Sequence, residues 1–170
     1  MSFSVPDIVF DSFRQVTPDF LKSRNIRCIL CDIDNTLVTY DDAVPTEEVL
    51  SWLASMEENG ITVVFLSNNS HHRVAKFTQS LKNLWFAKAQ KPLTGNAKKA
   101  LKTVGISPAH TAFLGDQIFT DVWTGNFLRV ALTLLVPPIK DKKDLFTRSK
   151  RLLEKPFMAT YYRKSKKTAR

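Results

Sequence analysis

The sequence predicts an α/β protein with helices covering both faces of a mostly parallel sheet. Two observations predict it. Several short runs are apolar at successive positions, including CILC within IRCILCDI, ITVVFL and residues 130–136, where a strand exposed on one side would alternate. Stretches with the 3.6-residue spacing of amphipathic helices lie between them. Strands and helices that alternate along the chain build a parallel sheet between two helical layers.

The elements follow in order. The first 25 residues carry Phe3, Val5, Ile8, Val9, Phe10 and Phe13 and read as an apolar arm. Residues 27–32 form a strand that ends in carboxylates. Its Cys28 and Cys31 spell C-I-L-C, but residues three apart on a strand face opposite sides, so they read as packing thiols. Residues 45–59 show helical spacing through Val49, Leu50, Leu53 and Met56, with Thr46 as N-cap and Gly60 as stop. A strand at 61–66, a helix at 70–81 and a short apolar stretch at 84–87 come next. A helix at 94–104 ends near Gly105, followed by a strand at 111–114, a short helix at 119–126 and a last strand at 130–136. Pro137-Pro138 closes that strand. Trp52, Trp85 and Trp123 read as core or interface residues.

Composition narrows the function classes. The chain has 170 residues, enough for one domain with a proper core, and 24% of them are charged, which is ordinary for a globular chain. No run approaches 18 uncharged apolar residues, so no spanning helix is expected, and MSFSVPDIVFDSF lacks the pattern of a secretory signal. A cytoplasmic protein, peripheral at most to the inner membrane face, is the expectation. The formal net charge is +9 and its distribution is uneven: from residue 139 onward there are twelve basic and three acidic residues, while the rest is balanced. A neutral domain (1–138) with a basic segment (139–170) suits a polyanion, either an anionic membrane surface or nucleic acid.

In open parallel sheets, ligands bind beyond the carboxyl ends of the strands. Those ends place Asp32, Asp34 and Thr36 after one strand, Ser67, Asn68 and Asn69 after the next, Lys91 after the short one, and Asp116 with Asp121 after another. An isolated Asp-x-Asp is often a solvated turn. Here several carboxylates converge, and a hard cation such as Mg²⁺, which takes a few carboxylates and a phosphate oxygen, relieves their repulsion. Ser67 and Lys91 suit a phosphoryl group, and an aspartate can attack phosphorus to form an aspartyl-phosphate. Asp121 also reads as a helix N-terminal residue favoured by the dipole. His71 and His72 diverge around a helix and read as surface residues at the mouth.

The run CDIDNTLV resembles the first motif of the haloacid dehalogenase superfamily, FLSNN the second, Lys91-Pro92 the third and LGDQIFTD the acidic fourth. In combination they resemble the YqeG family of subclass IIIA phosphatases, related to phosphatidylglycerophosphate phosphatases. The resemblance implies a three-layer, Rossmann-like fold and a Mg²⁺-dependent phosphatase. It implies Asp32 as nucleophile and metal ligand, and Asp34 as general acid and base with its carbonyl on the metal. Thr36 would hold the loop, Ser67 and the Asn68 amide would bind phosphoryl, and Lys91 would neutralise charge. Asp116 would bind metal, with Asp121 in support. Many relatives carry Gly before the last strand, where this chain has Arg129.

The gaps from Asp34 to Ser67 and from Ser67 to Lys91 are filled by single helices and short connections, which leaves no room for a cap domain. A capless site opens to solvent and suits a large substrate. With the basic segment and apolar arm, that points to a phospholipid head group at an anionic surface. The alternatives are a basic RNA- or ribosome-associated binding protein, and a phosphatase of nucleic-acid ends or phosphoproteins.

Overall fold

The computed structural model describes residues 5–140, 156–159 and 161. Its centre is a six-stranded sheet in which every pairing is parallel: β1 (Ile8–Val9), β2 (Cys28–Cys31), β3 (Thr62–Leu66), β4 (Trp85–Phe86), β5 (Thr111–Gly115) and β6 (Leu132–Leu135). The spatial order is β1-β6-β5-β2-β3-β4. From β2 the chain runs outward through β3 and β4 on one side, then returns to lay β5 and β6 on the other. The reversal of direction falls between β2 and β5, and in such sheets it opens a crevice at the strand ends.

Alternation along each strand sorts side chains into two cores. Ile29, Cys31, Val63, Phe65 and Leu114 pack with α1 (Pro18–Ser23), α2 (Glu47–Glu58) and α3 (His71–Thr78). Cys28, Leu30, Val64, Leu66 and Phe113 pack with α4 (Gly95–Val104) and α5 (Trp123–Leu128). The two cysteines thus lie on opposite faces as expected, both free and buried. Burial pushes the Cys28 thiol up to about 12, against a smaller lowering by its hydrogen bond with Thr111.

Local chemistry sets the helix ends. Thr46 Oγ1 accepts from the Val49 amide to start α2, with Glu47 and Glu48 in its first turn, and the Ser70 side chain caps α3 through Arg73 N. Gly105 ends α4 at φ +68, the left-handed conformation that glycine adopts without a Cβ clash. Arg129 takes the same role after α5, at φ +58 and ψ +45. The turn that favours glycine is therefore built here with an ordinary side chain, at the steric cost of a left-handed L-residue.

The amino-terminal segment departs from a simple arm. Ile8 and Val9 join the sheet edge beside β6, and Asp7 Oδ2 accepts from both the amide and the hydroxyl of Thr133 at 2.8 Å. Phe13, Val16 and Leu21 enter the main core, where the Trp52 indole donates to Val16 O at 2.9 Å. A two-residue strand has no periodicity to read, and its partner lies 126 residues away. The expected helix at 119–126 is instead a π-helical turn over Ile118–Val122 that continues into α5. Most of the basic segment lies outside the described residues. Its Phe157 and Met158 pack against the Ile118, Val122 and Leu135 cluster.

Candidate functional site

Strand register assembles the site. Cys31 pairs with Phe65 on one side and Leu114 on the other, so the residues that follow these strands emerge side by side. Asp32 follows β2, and its amide still donates to Leu114 O at 2.9 Å. Ser67 follows β3, and Asp116 follows β5. After Asp32 the chain turns back sharply through Asn35 at φ +68, with Asn35 N donating to Val38 O at 2.7 Å. Asparagine tolerates this left-handed conformation better than most residues. The turn keeps Asp32 and Asp34 on one edge, and Thr36 Oγ1 donates to Asp32 Oδ2 at 3.3 Å.

Lys91 reaches across the crevice from the loop after β4. Its Nζ donates to Asp32 Oδ1 at 2.5 Å and to Asp121 Oδ1 at 2.7 Å, and all three side chains are buried. Asn68 fixes that loop: its Oδ1 accepts from Lys91 N at 2.7 Å and its Nδ2 donates to Lys91 O at 3.0 Å. The Asn68 side chain therefore holds the lysine, which leaves its main chain for contact with a ligand. Asp121 is supported in turn by the Gln117 amide, which donates to Oδ2 at 3.0 Å. Its carboxylate lies against Gly115, where an added Cβ would come within 2.3 Å of Asp121 Cγ. Only glycine leaves that space.

Carboxylate oxygens of Asp32, Asp116 and Asp121 lie within 4.8 Å of one another, all on buried residues. Three hard oxygen donors this close, with the Lys91 ammonium bonding two of the carboxylates, fit a divalent cation that takes oxygen ligands. Asp121 thus stands inside the acidic cluster as well as beside Lys91. The Asp34 side chain lies outside it: Arg73 and Asn69 hold its two oxygens.

The electrostatics follow from burial. Asp32 is pushed up to about 7, chiefly because desolvation disfavours its charge. Lys91 opposes that rise, and Asp121 and Asp34 add to it. Burial alone would lower Lys91, but Asp121 and Asp32 outweigh it and hold the ammonium above its ordinary value. Tyr40 at the mouth is pushed up to about 12, first by burial and then by the neighbouring carboxylates.

The resulting cleft holds about 280 Å³ and is lined by Asp32, Asp34, Tyr40, Ser67, Asn68, Asn69, Lys91, Gln117 and Thr120. The expected residues Asp32, Asp34, Ser67, Asn68 and Lys91 all face it. Asp116 and Asp121 join through the acidic cluster, and Thr36 supports Asp32 from behind. His71 and His72 are exposed, with His71 against Trp85 at 4.8 Å. Sequence reasoning missed Tyr40 and Arg73. Neither belongs to a strand-end motif, although Arg73 sits three residues after the Ser70 cap, in a helix turn beside the second motif.

Comparison with known proteins agrees with this geometry. Residues 29–109 match the family described as haloacid dehalogenase-like hydrolase. The chain is 33% identical over 162 residues to the probable phosphatase YqeG of Bacillus subtilis (strain 168), covering 95% of this chain and 94% of that one. The chain belongs to the haloacid dehalogenase-like hydrolases. Within them it is a YqeG-like phosphatase, a phosphoric monoester hydrolase.

The fold recurs in solved structures. The cobalt-bound deoxy-D-mannose-octulosonate 8-phosphate phosphatase of Haemophilus influenzae superposes with a TM-score of 0.54 at 19% identity, over 66% of this chain and 69% of that one. A subfamily III A hydrolase of the same superfamily from Legionella pneumophila does so with a TM-score of 0.50 at 16% identity, over 74% and 76%. At these identities the likeness is one of fold.

Proposed function

We propose that this phosphatase is Mg²⁺-dependent, works through an aspartyl-phosphate on Asp32, and acts on a phospholipid head group of the phosphatidylglycerophosphate type. One observation carries the catalytic part: Lys91 and the acidic pair Asp116 and Asp121 converge on Asp32 from two other stretches of chain. A bound Mg²⁺, held by Asp32, Asp116 and Asp121 with the Asp34 carbonyl, would offset phosphoryl charge and polarise a phosphate oxygen.

The chain's own groups supply the rest. An Asp32 carboxylate oxygen attacks phosphorus and forms the new P–O bond as the bond to the leaving oxygen breaks. Asp34 gives its proton to that oxygen, and the alcohol departs. Asp34 then takes a proton from water as the water oxygen attacks phosphorus. The acyl-phosphate bond breaks, returning the Asp32 carboxylate and inorganic phosphate. Ser67 and the main-chain amide of Asn68 cradle the phosphoryl oxygens. Lys91 holds Asp32 in place and neutralises charge that builds up in both steps.

The substrate reading draws support from the rim. Among the described residues nothing caps the cleft. Exposed apolar side chains stand on loops that leave the carboxyl ends of three strands: Val44 after β2, Leu93 after β4 and Ile139 after β6. The basic segment departs from the same edge, where Lys140 N donates to Asn35 Oδ1 at 3.4 Å. It is also tied there further on, with Phe157 edge-on to Phe119 at 5.4 Å. Apolar side chains beside a basic segment suit an anionic lipid surface. Among the described residues no helix is long and apolar enough to cross a membrane.

The test is a phosphate-release panel with Mg²⁺: a lipid phosphate in anionic vesicles, a 5′-phosphorylated oligonucleotide, a phosphopeptide and a sugar phosphate. The lipid is expected to be preferred, and Asp32→Asn to abolish release from every substrate. Preference for the sugar phosphate would overturn the open-site argument, and preference for the oligonucleotide or peptide would reassign the substrate. Turnover by Asp32→Asn would remove the nucleophile.

A further inference from the structure

Asp34 is held by two side chains: Asn69, which closes the FLSNN run, and Arg73, which no motif of the sequence includes. Arg73, in the first turn of α3, donates from Nε at 3.1 Å and from Nη2 at 2.8 Å, both to the same oxygen, Asp34 Oδ1. Asn69 Nδ2 donates to the other oxygen, Oδ2, at 3.1 Å. The Arg73 guanidinium also donates from Nη1 to Ala43 O at 3.2 Å and from Nη2 to Thr39 O at 3.5 Å. It therefore ties the loop after β2 to α3. Arg73 is not among the residues that line the cleft, whereas Asp34 is. The pair is largely buried, with side-chain exposures of 15% and 6%, so solvent competes weakly for these bonds.

We propose that Arg73 is a positioning residue for Asp34: it occupies Oδ1 and so makes Oδ2 the oxygen that exchanges the proton with the leaving group and then with water. An ionised carboxylate has about four acceptor sites, two on each oxygen. Arg73 fills both on Oδ1. Asn69 fills one on Oδ2, and among the described residues that oxygen alone keeps a place for the proton. A rigid planar fork is suited to this task, because it fixes both the distance and the rotation of the carboxylate. When the P–O bond to the leaving oxygen breaks, the O–H bond at Oδ2 breaks with it and the proton moves to that oxygen. The new charge on Asp34 stays paired with Arg73.

This inference rests on the reading of Asp34 as general acid and base. Its test separates the two. Single-turnover release of the leaving group is measured on p-nitrophenyl phosphate, whose leaving group departs without a proton, and on an unactivated alkyl phosphate, which needs one. The variants are Arg73→Met, Arg73→Lys and Asp34→Asn. General acid assistance contributes roughly 10²–10⁴-fold, so Arg73→Met is expected to lose about 10-fold or more on the alkyl phosphate and far less on the aryl one. Arg73→Lys keeps the charge without the fork and should recover only part of the loss. It also carries the test if Arg73→Met fails to fold.

Equal losses on both substrates in the Arg73 variants, with Asp34→Asn still discriminating between them, would mean that Arg73 only braces the loop, and the proposal fails. If Asp34→Asn itself shows no dependence on the leaving group, the acid reading of Asp34 fails, and this proposal with it.

Discussion

Replacing Lys91 by Met removes the ammonium that bonds both Asp32 and Asp121 while nearly conserving the length of the side chain. The Lys91, Asp32 and Asp121 side chains are 3%, 9% and 2% exposed, so water cannot take over the lost charge. Three buried carboxylates then share a site whose oxygens lie within 4.8 Å. Removing one partner of a buried pair costs about 3–5 kcal/mol, because the remaining charge is left uncompensated. Asp32, already at about 7 with Lys91 beside it, is pushed higher still when that lowering influence goes.

The assay is urea unfolding at pH 7.5 in EDTA, with wild type alongside. The variant should unfold at a clearly lower urea concentration. Adding Asp121→Asn to Lys91→Met should restore part of the loss, since that second change removes the orphaned charge. Titrating Mg²⁺ should raise the variant's midpoint, because a ligand at a hundred times its Kd stabilises by about 2.7 kcal/mol. An unchanged midpoint for Lys91→Met in EDTA would refute the reasoning. So would additive losses in the double variant. As a contrast, Arg14 and Glu48 form an ion pair at 2.7 Å with both side chains more than half exposed, and breaking it should barely move the midpoint.

Two further outcomes follow from the same site. Gly115→Ala places a Cβ against the Asp121 carboxylate and must displace it, at a cost of about 1–3 kcal/mol for overpacking. Divalent-ion affinity, read from the shift of Tm with added Mg²⁺, should fall roughly 10–100-fold, and an unchanged titration would show that Asp121 does not support the ion. The raised Asp32 gives the metal-free protein a pH dependence. Its folded value of about 7 exceeds the unfolded 3.8, so the folded state holds the proton more tightly. That contribution to stability is complete below 3.8 and lost as pH rises through about 7. In EDTA, wild type should therefore weaken relative to Asp32→Asn between pH 5 and pH 8, and parallel stability curves would contradict it.

The strand ends that carry Asp32, Ser67 and Asp116 were legible in the sequence because each follows a short apolar run whose composition fits only a buried strand. The helix start at Thr46 was legible for a similar reason, since a cap bonds to an amide three residues away, here that of Val49. The opposite faces of Cys28 and Cys31 followed from the two-residue period of a strand. All of these are local properties of the chain.

The tertiary structure decided what no local rule contains. Ile8 and Val9 have too little pattern to announce a strand, and only β6 gives them an edge to join. Arg129 adopts the left-handed turn that composition would assign to glycine, because the chain must reverse there to enter β6. The sequence named Asp121, but its bond to Lys91 depends on a loop and a turn set by β4 and β5, which lie on opposite sides of β2 and β3. Arg73 reaches Asp34 across 39 residues of chain. Periodicity tells a residue which way to face; the register between distant strands determines which partner it meets.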